Sequence, residues 1–249
     1  MFMLRRILLA VVALQLAGCD YVGRDDKDRP PTALDFPRPY RPVSEAAGNA
    51  FSTEQSRDDR REAETVMDLA KIARGMSVAD IGAGDGYYTV RLAGRVGRNG
   101  RVLAQDIDEG ALRRLGSRVE RERLDNVSIQ PGAEDDPRLP ENSFDRIFMV
   151  HMYHEVSEPY AFLWRMRPAL HAGGQVIVVD VDRPTGQHGI PPKLLFCEFE
   201  HVGFRLVEFV RKPELAGYYA QFEATGERPE PYEIEPCRQP GDEDESPPA

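Results

Sequence analysis

The stretch Met76-Ser77-Val78-Ala79-Asp80-Ile81-Gly82-Ala83-Gly84-Asp85-Gly86-Tyr87-Tyr88-Thr89 reads as a short buried strand that runs through a glycine-rich turn into a helix. Met76, Val78, Ala79 and Ile81 suit a central parallel strand, which is covered on both faces. Gly82, Gly84 and Gly86 stand at spacing two, leaving no Cβ where the backbone must bend and approach a ligand. A dinucleotide fingerprint, G-x-G-x-x-G, wants glycine where this chain has Tyr87. That spacing argues against NAD.

Working outward, Gly100 to Asp108 reads as a second strand, and Asp106 lies about twenty residues past the turn, where a doubly wound nucleotide site places its ribose carboxylate. Such a carboxylate accepts two hydroxyl hydrogen bonds and repels a nearby phosphate, so the ligand expected is a nucleoside without phosphates. Helices are expected over Tyr87 to Val96 and Glu109 to Arg123, the latter with Ala111, Leu112, Leu115 and Val119 as its inner stripe. Strands follow at Val127 to Gln130, Phe144 to Val150 and Gln175 to Asp180. Helices at Pro159 to Leu170, with Trp164 on its apolar stripe, and at Pro191 to Val202 flank the last of these. This alternation builds a parallel sheet. Phe204 to Val210 and Tyr218 to Ala224 are close enough to pair as an antiparallel hairpin.

Asp80-x-Gly82-x-Gly84-x-Gly86 resembles the first motif of the class I S-adenosyl-L-methionine (SAM) dependent methyltransferases. Gly100 to Asp108, Leu139-Pro140-Glu141-Asn142-Ser143-Phe144-Asp145 and Arg167 to Gly174 resemble later stretches of the same family. The resemblance implies an α/β fold with a Rossmann-like seven-stranded sheet, mostly parallel with a C-terminal antiparallel hairpin. It implies SAM as cofactor, held by Asp80, Gly82, Ala83, Gly84 and Gly86, with Asp106 and Ile107 at the ribose. Many relatives carry aspartate where Ala133 stands, which passes the adenine contact to Glu134 or a backbone group. The family also places a helix like Phe51 to Arg74 over the cofactor pocket, from which Arg57 or Arg60 could reach substrate; the bland reading of its charge run is a solvated face. The cofactor is implied far more firmly than the methyl acceptor.

His151-Met152-Tyr153-His154-Glu155-Val156 follows the fourth strand to the carboxyl edge of the sheet, where open α/β sheets bind ligands. His151 or His154 at that edge could take a proton from a nucleophile during methyl transfer, imidazole being suited to proton work near neutral pH. Either could equally pack or hydrogen-bond as a strand-end histidine. His151, His154 and Glu155 could ligate a metal only with a further donor, and spacing marks none elsewhere, so no metal is expected.

Before the body, Arg5 and Arg6 precede the apolar run Ile7 to Ala17, too short to span a bilayer, which meets Leu16-Ala17-Gly18-Cys19. That junction resembles the bacterial lipobox, implying a signal peptide over residues 1–18, lipid modification of Cys19 and anchorage on the periplasmic side of the cell membrane. Residues 19–50 are proline-rich with little apolar periodicity and read as a spacer. One domain over residues 51–225 follows, with residues 226–249 as an acidic disordered tail. A net charge of −10 argues against a nucleic-acid substrate and for a small molecule. Cys197 and Cys237 could pair in an oxidising compartment, or stay as a buried and a free thiol. Two functions remain open: a methyltransferase acting on a small acceptor, and a binding lipoprotein that keeps the fold without turnover. The second is motivated by a conflict between an exported body and a cofactor made in the cytoplasm.

Overall fold

The computed structural model describes residues 26–44 and 53–238; the expected signal peptide and Cys19 lie outside the described residues. Seven strands form one sheet: β1 (Ser77–Ile81), β2 (Arg101–Asp106), β3 (Val127–Pro131), β4 (Phe144–Val150), β5 (Leu170–Asp180), β6 (Phe204–Lys212) and β7 (Gly217–Ala224). Their order is β3-β2-β1-β4-β5-β7-β6. The first five pair in parallel, and β7 runs antiparallel to both β5 and β6. The α/β architecture with its terminal hairpin is therefore as the resemblance implied. β1 is central, with Asp80 beside Ala104 of β2 and Phe148 of β4, and all of its residues after Ser77 are buried.

Alternation along each strand assigns its residues to two faces. Val78, Val102 and Phe148 face α2 (Glu62–Leu69) and α3 (Tyr87–Val96), with Leu92 and Val96 completely buried between them. Ala104 on the same face meets Leu115 of α4 (Glu109–Glu122). Ile147, Met149, Val176 and Val178 face α5 (Pro159–Met166) and α6 (Pro192–His201), where Phe199 stacks on Phe222 at 4.0 Å between ring centroids. Burying one such aromatic or Leu side chain contributes about 1.5–3 kcal/mol.

The single helix expected before β1 is two. α1 (Glu54–Asp59) ends before Arg60, and Arg61 adopts a left-handed backbone, φ 56°, before α2. The break folds Arg57 back onto Glu62, so part of the charge run is interior: Glu62 is completely buried and Arg57 nearly so.

The spacer reading is corrected for residues 26–44, which are docked on the α5 and α6 face. Arg29 sets a two-pronged ion pair on Glu158, at 2.7 and 2.8 Å, and donates to the carbonyls of Ala33 and Phe36. Ala33 and Phe36 enter the core, and Phe36 meets Trp164 edge-on. Arg41 donates to Glu198 at 2.8 Å and to the Val156 carbonyl at 3.1 Å. Prolines keep this arm extended, but two arginines and two apolar side chains give it buried partners.

The tail reading is corrected likewise as far as Arg238. Ile234 and Cys237 are buried, the Trp164 indole N–H donates to the Pro229 carbonyl, and Arg228 lies 3.3 Å over the Trp164 ring. Cys197 and Cys237 form a disulfide with Cα atoms 6.0 Å apart, resolving the two alternatives in favour of pairing.

Candidate functional site

At the carboxyl edge of β1, β2, β4 and β5 lies a cleft of about 760 Å³. Of the residues the sequence singled out, Asp80, Gly82, Ala83, Gly84, Asp106, Ile107, Glu134, His151 and His154 all line it. Gly86 is not in its wall; it is the N-cap of α3 at φ 87°, where a Cβ would meet Leu115 Cδ1 at 2.4 Å. Its role is therefore to let the turn pack on α4. Gly84 differs: its φ is +54° and an added Cβ would meet nothing within 4 Å, so the middle of the turn faces open cleft.

Asp106 ties this turn to the end of β2. Its Oδ2 accepts from Gly84 N at 2.8 Å and its Oδ1 from Asp108 N at 2.9 Å. A carboxylate has about four acceptor sites, so two such bonds leave capacity for a ligand hydroxyl. Ile107 beside it is exposed, and Glu134 is exposed with the Ser157 hydroxyl 3.5 Å away. Asp80 lies deeper, accepting from the Thr89 hydroxyl at 2.6 Å. Burial, with Asp106 nearby, outweighs that hydrogen bond and pushes its carboxyl up to about 6.

On the other side of the cleft the chain leaves β4 through His151, whose left-handed φ of 56° reverses the backbone. A 3-10 turn, Tyr153–Glu155, follows. His151 Nε2 lies 3.4 Å from Glu62, which also accepts from Arg57 at 2.7 and 3.0 Å and from the Tyr88 hydroxyl at 3.2 Å. Burial opposes charge on Glu62, but His151 and Arg57 together hold its carboxyl down to about 2. Arg57 lines the cleft while committed to this pair, and its guanidinium stacks 3.9 Å over Tyr87.

His154 is buried, with Nδ1 3.0 Å from both oxygens of the completely buried Asp180 at the end of β5. Facing a carboxylate, Nδ1 is the donor, which leaves the Nε2 lone pair for the cleft. Glu155 lies 3.8 Å from that nitrogen, and the His188 ring meets the His154 ring edge-on at 5.8 Å between centroids. His188 also has a left-handed φ, 55°, and its backbone N–H donates to the Ser44 hydroxyl at 3.0 Å. Below, the Tyr153 hydroxyl donates to Glu198 at 2.7 Å, the same carboxylate that Arg41 grips.

Sequence reasoning missed Asp180, His188 and the arm residues Arg41 and Ser44. The signal available was positional: Asp180 ends a strand at the ligand-binding edge, and Arg183, Gln187 and His188 follow within one polar loop. The spacing argument that denied His154 and Glu155 a third donor is corrected here, because His188 arrives from another loop: donor atoms of His154, Glu155 and His188 lie within 4.8 Å of one another.

Residues 78–174 match the family model described as a methyltransferase domain. The ubiquinone/menaquinone biosynthesis C-methyltransferase UbiE of Escherichia fergusonii is 30% identical over 125 residues, 47% of this chain and 47% of that protein; the UbiE of Salmonella arizonae matches to the same extent. The chain thus spans about half the length of the curated relatives it matches. Among solved structures, a SAM dependent methyltransferase from Aquifex aeolicus aligns with TM-score 0.59 and 24% identity, covering 70% of this chain and 98% of that one. The [4+2]-cyclase SpnF aligns with TM-score 0.59 and 15% identity, covering 74% of this chain and 88% of that one. At these identities the structures establish the fold.

Proposed function

We propose that this chain is a class I SAM-dependent methyltransferase acting on a small-molecule acceptor. The observation that carries the reading is the two-sided cleft: a glycine turn tied to Asp106 on one side, and a buried His154–Asp180 pair on the other. The open space in front of Gly84 is a cradle that a Cβ would occupy, which fits a ligand lying against the backbone. Asp80, Gly82, Ala83, Gly84, Asp106 and Ile107 would hold SAM, with Glu134 near the adenine. SAM supplies a methyl group already made electrophilic by its sulfonium. The remaining work is positioning, since holding donor and nucleophile in line can supply about 7–11 kcal/mol of the barrier. His154 is better posed than His151 to accept the acceptor's proton. His154 lines the cleft with Nδ1 held by Asp180, which orients its ring, whereas His151 turns Nε2 to Glu62.

The test is isothermal titration of the purified full-length chain with SAM and with S-adenosylhomocysteine. Saturable binding of both is expected; no heat with either would leave the second reading, a binding lipoprotein that keeps the fold without turnover.

The location we propose is the periplasmic side of a bacterial membrane, through a lipid on Cys19. The charge, apolar core and cysteine context of residues 1–19 support it, as does the Cys197–Cys237 disulfide, a bond that persists in oxidising compartments. Cys19→Ser is expected to abolish labelling by a fatty-acid probe and release the protein from the membrane pellet. An unlabelled wild type would sink the anchor.

A further inference from the structure

We propose that His154, Glu155 and His188 bind one divalent transition-metal ion at the acceptor end of the cleft. Their donor atoms converge within 4.8 Å, and His154 and Glu155 are already 3.8 Å apart. An ion at 2.0–2.2 Å from each would draw them to about 3.4 Å. Two imidazoles and one carboxylate suit zinc, iron, cobalt or manganese, whereas magnesium and calcium take oxygen donors. Three protein ligands also leave coordination positions open, the arrangement of reactive rather than structural sites.

The surroundings are those of a metal centre. Asp180 accepts from the far nitrogen of His154, the carboxylate–histidine arrangement that fixes the ring and its tautomer at a metal centre. The supports on either side are rigid. Ser44 holds the backbone of His188, and the turn carrying His154 and Glu155 is pinned from below by Tyr153, Glu198 and Arg41. The other histidine-containing cluster among the described residues, Cys197, His201 and Cys237, has both sulfurs spent in the disulfide.

For its substrate this inference rests on the methyltransferase reading: an acceptor bearing a hydroxyl or thiol would place that oxygen or sulfur on an open position of the ion, which lowers its pKa. The released proton goes to solvent and the acceptor's lone pair forms the new bond to the methyl carbon. The carbon–sulfur bond of SAM breaks with its electron pair left on sulfur, so no oxidant or reductant is needed. With His154 bound to it, the ion replaces that imidazole as the group that promotes loss of the acceptor's proton.

The experiment is titration of the chelator-stripped, disulfide-intact full-length chain with Co²⁺, followed by its visible absorption, and with Zn²⁺ by calorimetry, both without SAM. One saturable equivalent is expected. His188→Ala and Glu155→Ala should each weaken it at least tenfold, Asp180→Asn ten- to a hundredfold, and Cys237→Ser should leave it unchanged. Circular dichroism and melting of each variant separate lost ligation from lost fold, and His188→Gln replaces any variant that fails to fold. No saturable binding by the wild type, or affinity unchanged within twofold in folded His188 and Glu155 variants, would overturn the proposal. Metal binding without SAM binding would retain the site and remove the methyltransferase reading; SAM binding without metal would do the reverse.

Discussion

Asp80→Asn is expected to make the protein more stable at alkaline pH and to lose that advantage in acid. Asp80 is buried, and its carboxyl, ordinarily near 3.8, is pushed up to about 6. For a group whose folded pKa is raised, stability is fully present below the unfolded value and is lost as pH rises through the folded one. At pH 8 the wild type therefore carries the full cost of an ionised buried carboxylate, about 3 kcal/mol for a shift of about two units. At pH 5 the cost is roughly half of that, and at pH 4 a few tenths. Asparagine removes the charge and can still accept from the Thr89 hydroxyl, but more weakly, which takes back about 1 kcal/mol. The net expectation is a gain of about 2 kcal/mol at pH 8, about 0.5 kcal/mol at pH 5, and a slight loss at pH 4. Urea unfolding of both proteins at the three pH values measures it. A gain that does not change with pH, or no gain at pH 8, would refute the assignment of the cost to the buried charge. Affinity for SAM, the cofactor proposed above, should fall in the same variant, since a carboxylate lining the cleft is lost.

Glu62→Gln leaves the buried Arg57 without a counter-charge and should cost about 3–5 kcal/mol. Because the Glu62 carboxyl is depressed to about 2, its contribution is present above about pH 4.5 and fades as pH falls through 2, so acid titration of the wild type and variant should converge. Gly84→Val must hold a β-branched residue at φ +54°, costing about 1–2 kcal/mol, while its side chain fills the open cradle. Melting should fall modestly and stabilisation by SAM should vanish; a variant still stabilised by SAM would remove the turn from the cofactor site. Cys237→Ser opens a loop of 40 residues and should lower stability by up to about 4 kcal/mol in chain-entropy terms, an effect that reductant reproduces in the wild type but not in the variant.

The donor side of the cleft was legible because its information is local. Strand, glycine turn and helix lie within Met76 to Thr89, and Asp106 is recognised by its distance from them. The acceptor side was not, because its contacts are distant in sequence. Arg41 meets Glu198 across 157 residues, and Ser44 meets His188 across 144. No periodicity reports such pairs, and a single arginine among prolines looks like any solvated charge. Arg57 and Glu62 were read within a charged face because they stand in one run of acidic and basic residues, whereas the left-handed Arg61 breaks the helix and turns the pair inward. Cys237 stands in an acidic, proline-rich stretch that no apolar pattern marks as packed, and its burial depends on Ile234, the disulfide and the grip of Trp164 and Tyr160 on the tail.

The arm at the 3-10 turn brings to one side of the cleft residues that lie outside the segment matching the family model. Residues 78–174, the part shared with the methyltransferase-domain family, supply the glycine turn, Asp106, His151 and His154. Asp180, His188, Glu198, Arg41 and Ser44 all come from outside that segment. Mutation in the arm or in the loop after β5 can thus reshape the side of the cleft opposite the glycine turn without touching the turn itself.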